Sequence, residues 1–213
     1  MIDGVQSFAK GTLVHTEEGL VPIEKIKVGD WVYSTPEDGS GVDELKRVTQ
    51  TFANGPKQIV DLWYLFEEER NEFSTLTTTV NHPFWVTGRG WTNVIDLDLR
   101  EDELELIDGR RMLATNRDFV IKTSMPNVGW VPHMSYFSGE LGTEWDYENH
   151  VVYRKNVPYN DFIEDLGRPY ELMPDHLNLF TAPVYNIEVE EFHTYFVGKE
   201  GVWVHSENTT SVI

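Results

Sequence analysis

Short runs rich in apolar and β-branched residues, each bounded by Gly, Asn or Asp, fill most of this sequence. They lie at residues 28–34, 58–66, 74–80, 83–86, 184–189, 193–197 and 202–204. Runs of this length between turn signals are typical of β-strands, and few segments have the 3.6-residue periodicity of a helix. The sequence therefore predicts an all-β domain, with single helical turns only at residues 22–26 and 159–166.

Composition excludes several classes of protein. The 213 residues correspond to one domain, or to one domain with a large insertion, and they include no cysteine for disulfides, thiolate zinc sites or nucleophiles. The 17 Lys and Arg against 36 Asp and Glu give a net charge of −19, so no nucleic-acid partner is expected, because binding phosphates needs clustered cations. No apolar run approaches the roughly 18 residues that span a membrane, and residues 1–6 lack the features of a signal peptide.

One region departs from the strand pattern. Residues 122–182 are rich in Trp, Tyr and Pro and have an irregular apolar pattern, so we interpret them as an insertion with its own small fold. Its aromatic residues are of the kind that form either a partner-binding surface or a local core, and the local core is the simpler interpretation. Clean strand alternation resumes at Val184.

Four sequence segments, in fixed order, carry a family resemblance. They are Ser7-Phe8-Ala9-Lys10-Gly11-Thr12-Leu13-Val14 with Ile23-Glu24-Lys25-Ile26-Lys27-Val28-Gly29-Asp30-Trp31-Val32; Thr79-Val80-Asn81-His82-Pro83-Phe84; Val184-Tyr185-Asn186-Ile187-Glu188-Val189 with His193-Thr194-Tyr195-Phe196-Val197; and Val202-Trp203-Val204-His205-Ser206. In this order and spacing they closely resemble the Hint superfamily, the self-processing domains of inteins and Hedgehog proteins. The continuation through Trp85, Val86, Gly90 and Trp91 is most similar to the Hint domains of bacterial polymorphic toxins and to bacterial intein-like domains.

The resemblance implies an all-β, horseshoe-like Hint fold formed by residues 7–121 and 183–206, with residues 122–182 inserted. Residues 1–6 and 207–213 are then the flanking segments on which the domain acts. The implied activity is that of a single-turnover, self-cleaving enzyme that needs no cofactor or metal and releases a downstream toxin or effector domain. The parent protein is then a secreted bacterial effector, although the sequence itself assigns no compartment.

The resemblance places the first chemical step at Ser7, where family members carry Cys or Ser. Its hydroxyl would attack the carbonyl of Gln6 and convert the amide into an ester, an intramolecular step that gains a large effective molarity. A thiol suits this step better, because a hydroxyl needs a stronger base beside it. Thr79 and His82 form a Thr-x-x-His pair expected to hold this bond and to protonate its leaving nitrogen. Taken alone, Ser7 would more simply be a strand-start hydroxyl and His82 a buried turn residue. The residues that follow Ser7, and Thr79 three residues before His82, favour the functional interpretation.

Three matched positions and one departure concern the second chemical step. His193 matches the His of the third segment, and Asn186 stands where inteins often carry Asp. Asn186 cannot act as a base, so it is either a site residue or a strand amide that caps a neighbouring loop. His205 matches the penultimate His, which normally assists an adjacent Asn in forming a succinimide. That neighbour is Ser206 here, and its side chain has no amide nitrogen with which to cyclise.

These departures predict an inactivated precursor, with Ser7 in place of Cys and Ser206 in place of Asn. One alternative is a Hint scaffold without chemistry that serves as a linker or binding module. Another is a mini-intein that performs protein splicing. Splicing needs Cys, Ser or Thr after the cleaved bond, and Glu207 follows Ser206, so this alternative is disfavoured.

Two further sets of charged residues receive structural interpretations. The first is an acidic run interpreted as a solvated face and loop: Asp96, Asp98, Glu101, Asp102, Glu103 and Glu105. The second contains possible metal ligands whose spacing fits no zinc or calcium pattern: His133, Asp146, Glu148 and His150.

Overall fold

The structure is a computed structural model that describes residues 5–66, 72–132, 141–158 and 179–206. Several predictions fall on other residues: most of both flanking segments, the helical turn at 159–166 and His133 lie outside the described residues. Within the described ranges, no helix has the length and apolar character needed to cross a membrane.

Eighteen strands and two single turns of 3-10 helix make up the described secondary structure. The strands are β1 (Phe8–Ala9), β2 (Leu13–Thr16), β3 (Gly19–Pro22), β4 (Trp31–Ser34), β5 (Glu44–Gln58), β6 (Val60–Leu65), β7 (Phe73–Thr78), β8 (Pro83–Val86), β9 (Gly90–Asn93), β10 (Glu103–Glu105), β11 (Arg111–Phe119), β12 (Ile121–Lys122), β13 (Val128–Pro132), β14 (Leu141–Asp146), β15 (Val151–Pro158), β16 (Thr181–Val189), β17 (Thr194–Val197) and β18 (Val202–His205). The 3-10 turns are Ile23–Lys25 and Val94–Asp96. The all-β prediction is thus confirmed, and a helical turn does follow Pro22.

Fourteen of the strands form one antiparallel sheet that closes on itself. Its order is β10-β11-β6-β7-β1-β16-β5-β4-β2-β17-β18-β8-β9, and β3 pairs with β2. The two distant strands β10 and β8 also pair, at Leu104 and Val86, which closes the circuit. Closure leaves few unpaired strand edges, and it brings segments far apart in sequence to the same end of the sheet.

The two-residue strand β1 joins the two parts of this circuit. Phe8 pairs with Thr78 of β7 on one side and with Tyr185 of β16 on the other. The Phe8 side chain is fully buried in the main apolar core, together with Val14, Phe84 and Tyr195. Ser7, immediately before this strand, is therefore held at the junction between residues 73–78 and residues 181–189.

Strand β5 was not predicted from the sequence. Most of its residues are exposed or half-buried, so the apolar alternation that marks a strand is weak. It forms because its main chain pairs with β4 at residues 44–47 and with β16 at residues 48–58. The register with β16 shifts between Pro183 and Val184, opposite Pro56 and Asn54, and Gly55 is the additional residue of this bulge.

Strands β12–β15 form a separate four-stranded sheet. Trp145 and Tyr147 pack on a cluster that includes Val184 of the large sheet and Ile59, which lies between β5 and β6. These two aromatic residues therefore share a core with the main sheet, whereas Trp130 is buried outside that cluster and Tyr153 is 51% exposed. The turn after β14 also lies against the chain after β1, since Lys10 Nζ donates to the Glu148 carbonyl and a Cβ on Gly11 would be 2.6 Å from His150 Nδ1.

The acidic run was interpreted as solvated, and for one residue this is wrong. Asp102 is only 5% exposed. Its carboxylate accepts the main-chain N–H of Asp98 at 2.8 Å and pairs with the guanidinium of Arg89. Asp102 therefore organises the turn between the second 3-10 helix and β10.

The packing of Gly142 predicts a local stability effect. A Cβ at residue 142 would lie 2.2 Å from the ring of buried Trp130, so Gly142→Ala should destabilise the small sheet by about 1–3 kcal/mol through overpacking. Urea denaturation combined with hydrogen exchange of residues 128–132 measures the effect. Gly55→Ala is the matched control, because no atom lies within 4 Å of its added Cβ. Equal stability of the two variants would contradict this packing.

Candidate functional site

Ser7 is fully buried and its main chain is bonded to two consecutive threonines. The Ser7 N–H donates to Thr79 Oγ1 at 3.0 Å, and the Ser7 carbonyl accepts the Thr79 N–H and the Thr78 hydroxyl, each at 2.9 Å. Asn54, placed by the bulge in β5, donates its Nδ2 to Ser7 Oγ at 3.1 Å. These contacts fix both the hydroxyl and the main chain of the predicted nucleophile.

Thr79 holds the chain on both sides of the bond between Gln6 and Ser7. Its hydroxyl donates to the Val5 carbonyl at 2.8 Å, while its oxygen accepts the Ser7 N–H. One side chain thus contacts the residue before Gln6 and the residue after it. The orientation of the intervening peptide follows from these two contacts.

Asn186 contacts the carbonyl of Gln6 directly. Its Nδ2 donates to the Gln6 oxygen at 2.9 Å. Its Oδ1 accepts the Tyr195 hydroxyl at 2.7 Å and the Ile187 N–H at 2.8 Å. These two donors determine the orientation of the amide, with Oδ1 toward them and Nδ2 toward Gln6. Asn186 therefore presents an amide donor to the carbonyl that Ser7 would attack.

His82 lies in the same buried region without solvent contact. Its ring packs on Phe8 with centroids 4.1 Å apart, and neither ring nitrogen has a hydrogen-bond partner among the described residues. Burial and, to a smaller extent, the nearby His205 ring lower the pKa of His82 to about 3, while the main chain of residue 205 acts in the opposite direction. The imidazole is therefore neutral at physiological pH.

The C-terminal segment reaches this region because β18 pairs with β8 at Val204 and Phe84. His205 is buried, with Nε2 at 3.1 Å from Glu37 Oε2 and its ring at 4.9 Å from that of Trp91. Ser206 is fully buried, and its N–H donates to the His193 carbonyl at 2.7 Å. Within the part of the chain that the structure describes, the Ser206 hydroxyl has no hydrogen-bond partner.

His193 is the one predicted site residue whose ring lies at the surface. Its side chain is 49% exposed, and Nδ1 lies 2.6 Å from Glu188 Oε1. The backbone at residue 193 has a φ of +52°, a conformation that a non-glycine residue adopts only in tight turns. The His193 carbonyl contacts Ser206, whereas its ring pairs with Glu188.

Sequence reasoning missed four residues that contact this site: Glu37, Asn54, Thr78 and Tyr195. Thr78 and Tyr195 lie within or beside the motif segments, but the motifs assign them no role. Asn54 and Glu37 lie beside glycines, Gly55 in a bulge and Gly39 in a turn, and these glycines do not reveal which residues the neighbouring side chains contact.

One of the candidate metal ligands has another role. Asp146 accepts the N–H groups of Glu148 and Asn149 and caps its own turn. Among the described residues, no group of three or more His, Cys, Asp or Glu is placed to hold a metal ion.

Comparison with known proteins identifies the fold. The family profile of the pretoxin Hint domain matches residues 13–127. The solution structure of a bacterial intein-like domain from Clostridium thermocellum superposes with a TM-score of 0.57 and 22% identity, covering 94% of this chain and 99% of that one. A DnaB intein from Synechocystis sp. PCC 6803 gives 0.56 and 12%, covering 96% and 100%, and the gp41-1 intein gives 0.52 and 13%, covering 94% and 98%. No curated protein sequence matches the chain.

The buried imidazole of His82 predicts a pH effect on stability. A folded-state pKa near 3, below the unfolded value of 6.5, means that the unfolded chain binds the extra proton between these pH values, so stability is lost as the pH falls through that window. From pH 7 to pH 4.5 this loss is about 2–3 kcal/mol. His82→Gln should lose that much less than the parent chain over the same range, as measured by urea denaturation.

The comparison between variants is needed because Asp61 and Asp118 act in the opposite sense. Burial raises the pKa of each carboxyl to about 6, so both stabilise the fold as the pH falls. Phe84→Leu, a neighbouring core substitution without a titrating group, should retain the pH dependence of the parent chain. A pH dependence that is the same in His82→Gln and the parent chain would contradict the buried, neutral ring.

Proposed function

The chain belongs to the pretoxin Hint domain family, and we propose that it is an autoprocessing domain that acts on its own flanking peptide bonds. The first bond is that between Gln6 and Ser7, which would undergo an N-terminal acyl shift. The second follows residue 206 and would be cut by Asn cyclisation in a chain that carries Asn there. Release of a downstream toxin or effector is the expected biological outcome.

The contact between Asn186 and the Gln6 carbonyl carries this proposal. When Ser7 Oγ adds to the carbonyl carbon, negative charge develops on the oxygen that already accepts Asn186 Nδ2 at 2.9 Å. A fixed donor in a water-excluded site stabilises that charge more than the neutral carbonyl. This role needs a hydrogen-bond donor and not a base. An Asn side chain can therefore fill it at a position where inteins often carry Asp.

The shift conserves atoms and charge. The bond from Ser7 Oγ to the Gln6 carbon forms, the carbon–nitrogen bond breaks, and the hydroxyl proton ends on the released Ser7 amine. His82 is the titratable group proposed to carry that proton. Its ring is neutral and would first accept the proton from the hydroxyl and then return it to the nitrogen; a pKa of about 3 makes it a weak base, which agrees with a slow N-terminal step. Thr79 Oγ1 accepts the Ser7 N–H at 3.0 Å and so fixes the orientation of that nitrogen.

The second step would use His205 beside residue 206, with His193 contributing its carbonyl contact to that residue. Ser206 has no amide nitrogen, so the present chain cannot form a succinimide there. The buried, unpartnered hydroxyl of Ser206 also favours the alternative of a scaffold without chemistry at this end. We therefore propose a precursor that is inactive at its C-terminal bond and slow at its N-terminal bond.

Restoring the more reactive side chains tests this proposal. Ser7→Cys with Ser206→Asn should yield fragments separated at 6–7 after addition of a thiol, because thiols cleave thioesters, and at 206–207 without one. Intact-mass spectrometry over time identifies both products. Ser7→Ala in the same background should lose only the first product. A double variant that stays whole under both conditions would eliminate autoprocessing and leave the scaffold alternative.

The Asn186 donor has its own quantitative consequence. In the Ser7→Cys chain, Asn186→Ala should slow thiol-dependent release of residues 1–6 by about 100-fold, the usual effect of losing one oxyanion donor. Asn93→Ala is the matched control, since the Asn93 amide contacts only surface Asp96 at 3.4 Å among the described residues. Equal release rates for the two variants would remove Asn186 from the reaction.

A further inference from the structure

We infer that Glu37 is a positioning residue for His205, which it holds in a single ring orientation and tautomer for the C-terminal step. This inference rests on the proposed function for its purpose, but its structural content applies to the present chain. Neither the family motifs nor the sequence pattern assigns a role to Glu37.

Glu37 contacts His205 directly, and the contact joins an exposed carboxylate to a buried ring. Glu37 Oε2 lies 3.1 Å from His205 Nε2, while the His205 side chain is 11% exposed and the Glu37 side chain 56% exposed. The acid therefore approaches a buried ring from its solvent side. It costs little desolvation, because much of the carboxylate remains in water.

Two contacts join the segment that carries Glu37 to neighbours of His205. The Glu37 carbonyl accepts Trp91 Nε1 at 2.9 Å, and Trp91 packs edge-on against the His205 ring. Thr35, two residues before Glu37, exchanges hydrogen bonds with the hydroxyl of Thr194, the residue that pairs with His205 across β17 and β18. Glu37 thus moves together with the strand pair that carries His205.

The segment after Glu37 is fixed as well. Gly39 lies against the ring of Trp85, where an added Cβ would be 3.0 Å from the indole, and Thr35 bonds the Asp43 carboxylate at the far end of the loop. Trp85, Trp91 and Trp203 pack together beneath this loop. These contacts hold the loop, and with it the Glu37 side chain, in position against His205 before any reaction takes place.

A carboxylate acceptor determines which nitrogen of a neutral imidazole carries the proton. With Glu37 at Nε2, the neutral ring is the Nε2–H tautomer and its lone pair lies on Nδ1. Nδ1 is one bond closer to the main chain than Nε2, and we assign to it the action on the peptide at residue 206. Among the described groups, the Trp91 indole packs edge-on against the ring, and the imidazole of His82 is near enough for His205 to lower its pKa.

The first test measures the ring in the present, uncleaved chain. Nitrogen-15 chemical shifts of His205 at pH 8 should show the Nε2–H tautomer in the parent and a substantial fraction of the Nδ1–H form in Glu37→Ala. Glu18→Ala, which removes one acidic side chain from an exposed turn elsewhere, should match the parent. An unchanged tautomer ratio in Glu37→Ala would overturn the inference.

The second test measures cleavage in the Ser206→Asn background. Glu37→Ala should slow C-terminal cleavage at least about tenfold and alter its pH profile, with no significant change in the thermal unfolding temperature. Glu18→Ala should cleave as its parent does. Cleavage in the Ser206→Asn chain that is unaffected by Glu37→Ala would refute the role of Glu37 and retain the proposed function. No cleavage in that parent would refute C-terminal processing, and the ring spectra would then decide the inference alone.

Discussion

The pairing of the two-residue strand β1 is the interaction on which the architecture depends. Phe8 pairs with both Thr78 and Tyr185, and no other strand lies between those two in the order of the sheet. Without β1, the circuit of strands would open between β7 and β16. The same pairing sets Ser7 against Thr79 on one side and near Asn186 on the other. The closure of the sheet and the assembly of the site therefore have one structural cause.

In the site, the main chain is well hydrogen-bonded, whereas some buried side chains are not. Every main-chain group beside the bond from Gln6 to Ser7 that is described above has a partner. Among the described residues, His82 and Ser206 instead have buried polar atoms without a hydrogen-bond partner, as do side chains elsewhere such as Trp63 and Thr87. Each such group costs about 1–3 kcal/mol. The His82 ring is the one that carries a proton in the proposed N-terminal step, whereas the Ser206 hydroxyl lies at the end where this chain cannot cyclise.

The all-β fold could be predicted from the sequence because most strands are short apolar runs bounded by turn residues. Strand β5 has no such pattern, since its stability comes from pairing with β16 rather than from its own apolar residues. The motifs indicated Ser7, Thr79 and Asn186, which do contact one short segment of main chain. They did not indicate Asn54 or Glu37, whose contacts depend on a bulge and on a tryptophan pair. For His193, the motif identified the residue, but the backbone turn directs its ring toward Glu188.

The contact between Gly11 and His150 has a consequence for transplanting the small sheet to another framework. A Cβ at residue 11, only two residues beyond strand β1, would lie 2.6 Å from His150 Nδ1 in the turn between β14 and β15. Residue 11 also has a φ of +85°, a conformation that side chains rarely adopt. A framework that receives this sheet therefore needs glycine at the corresponding point, both for its own backbone and for the imidazole that comes with the sheet.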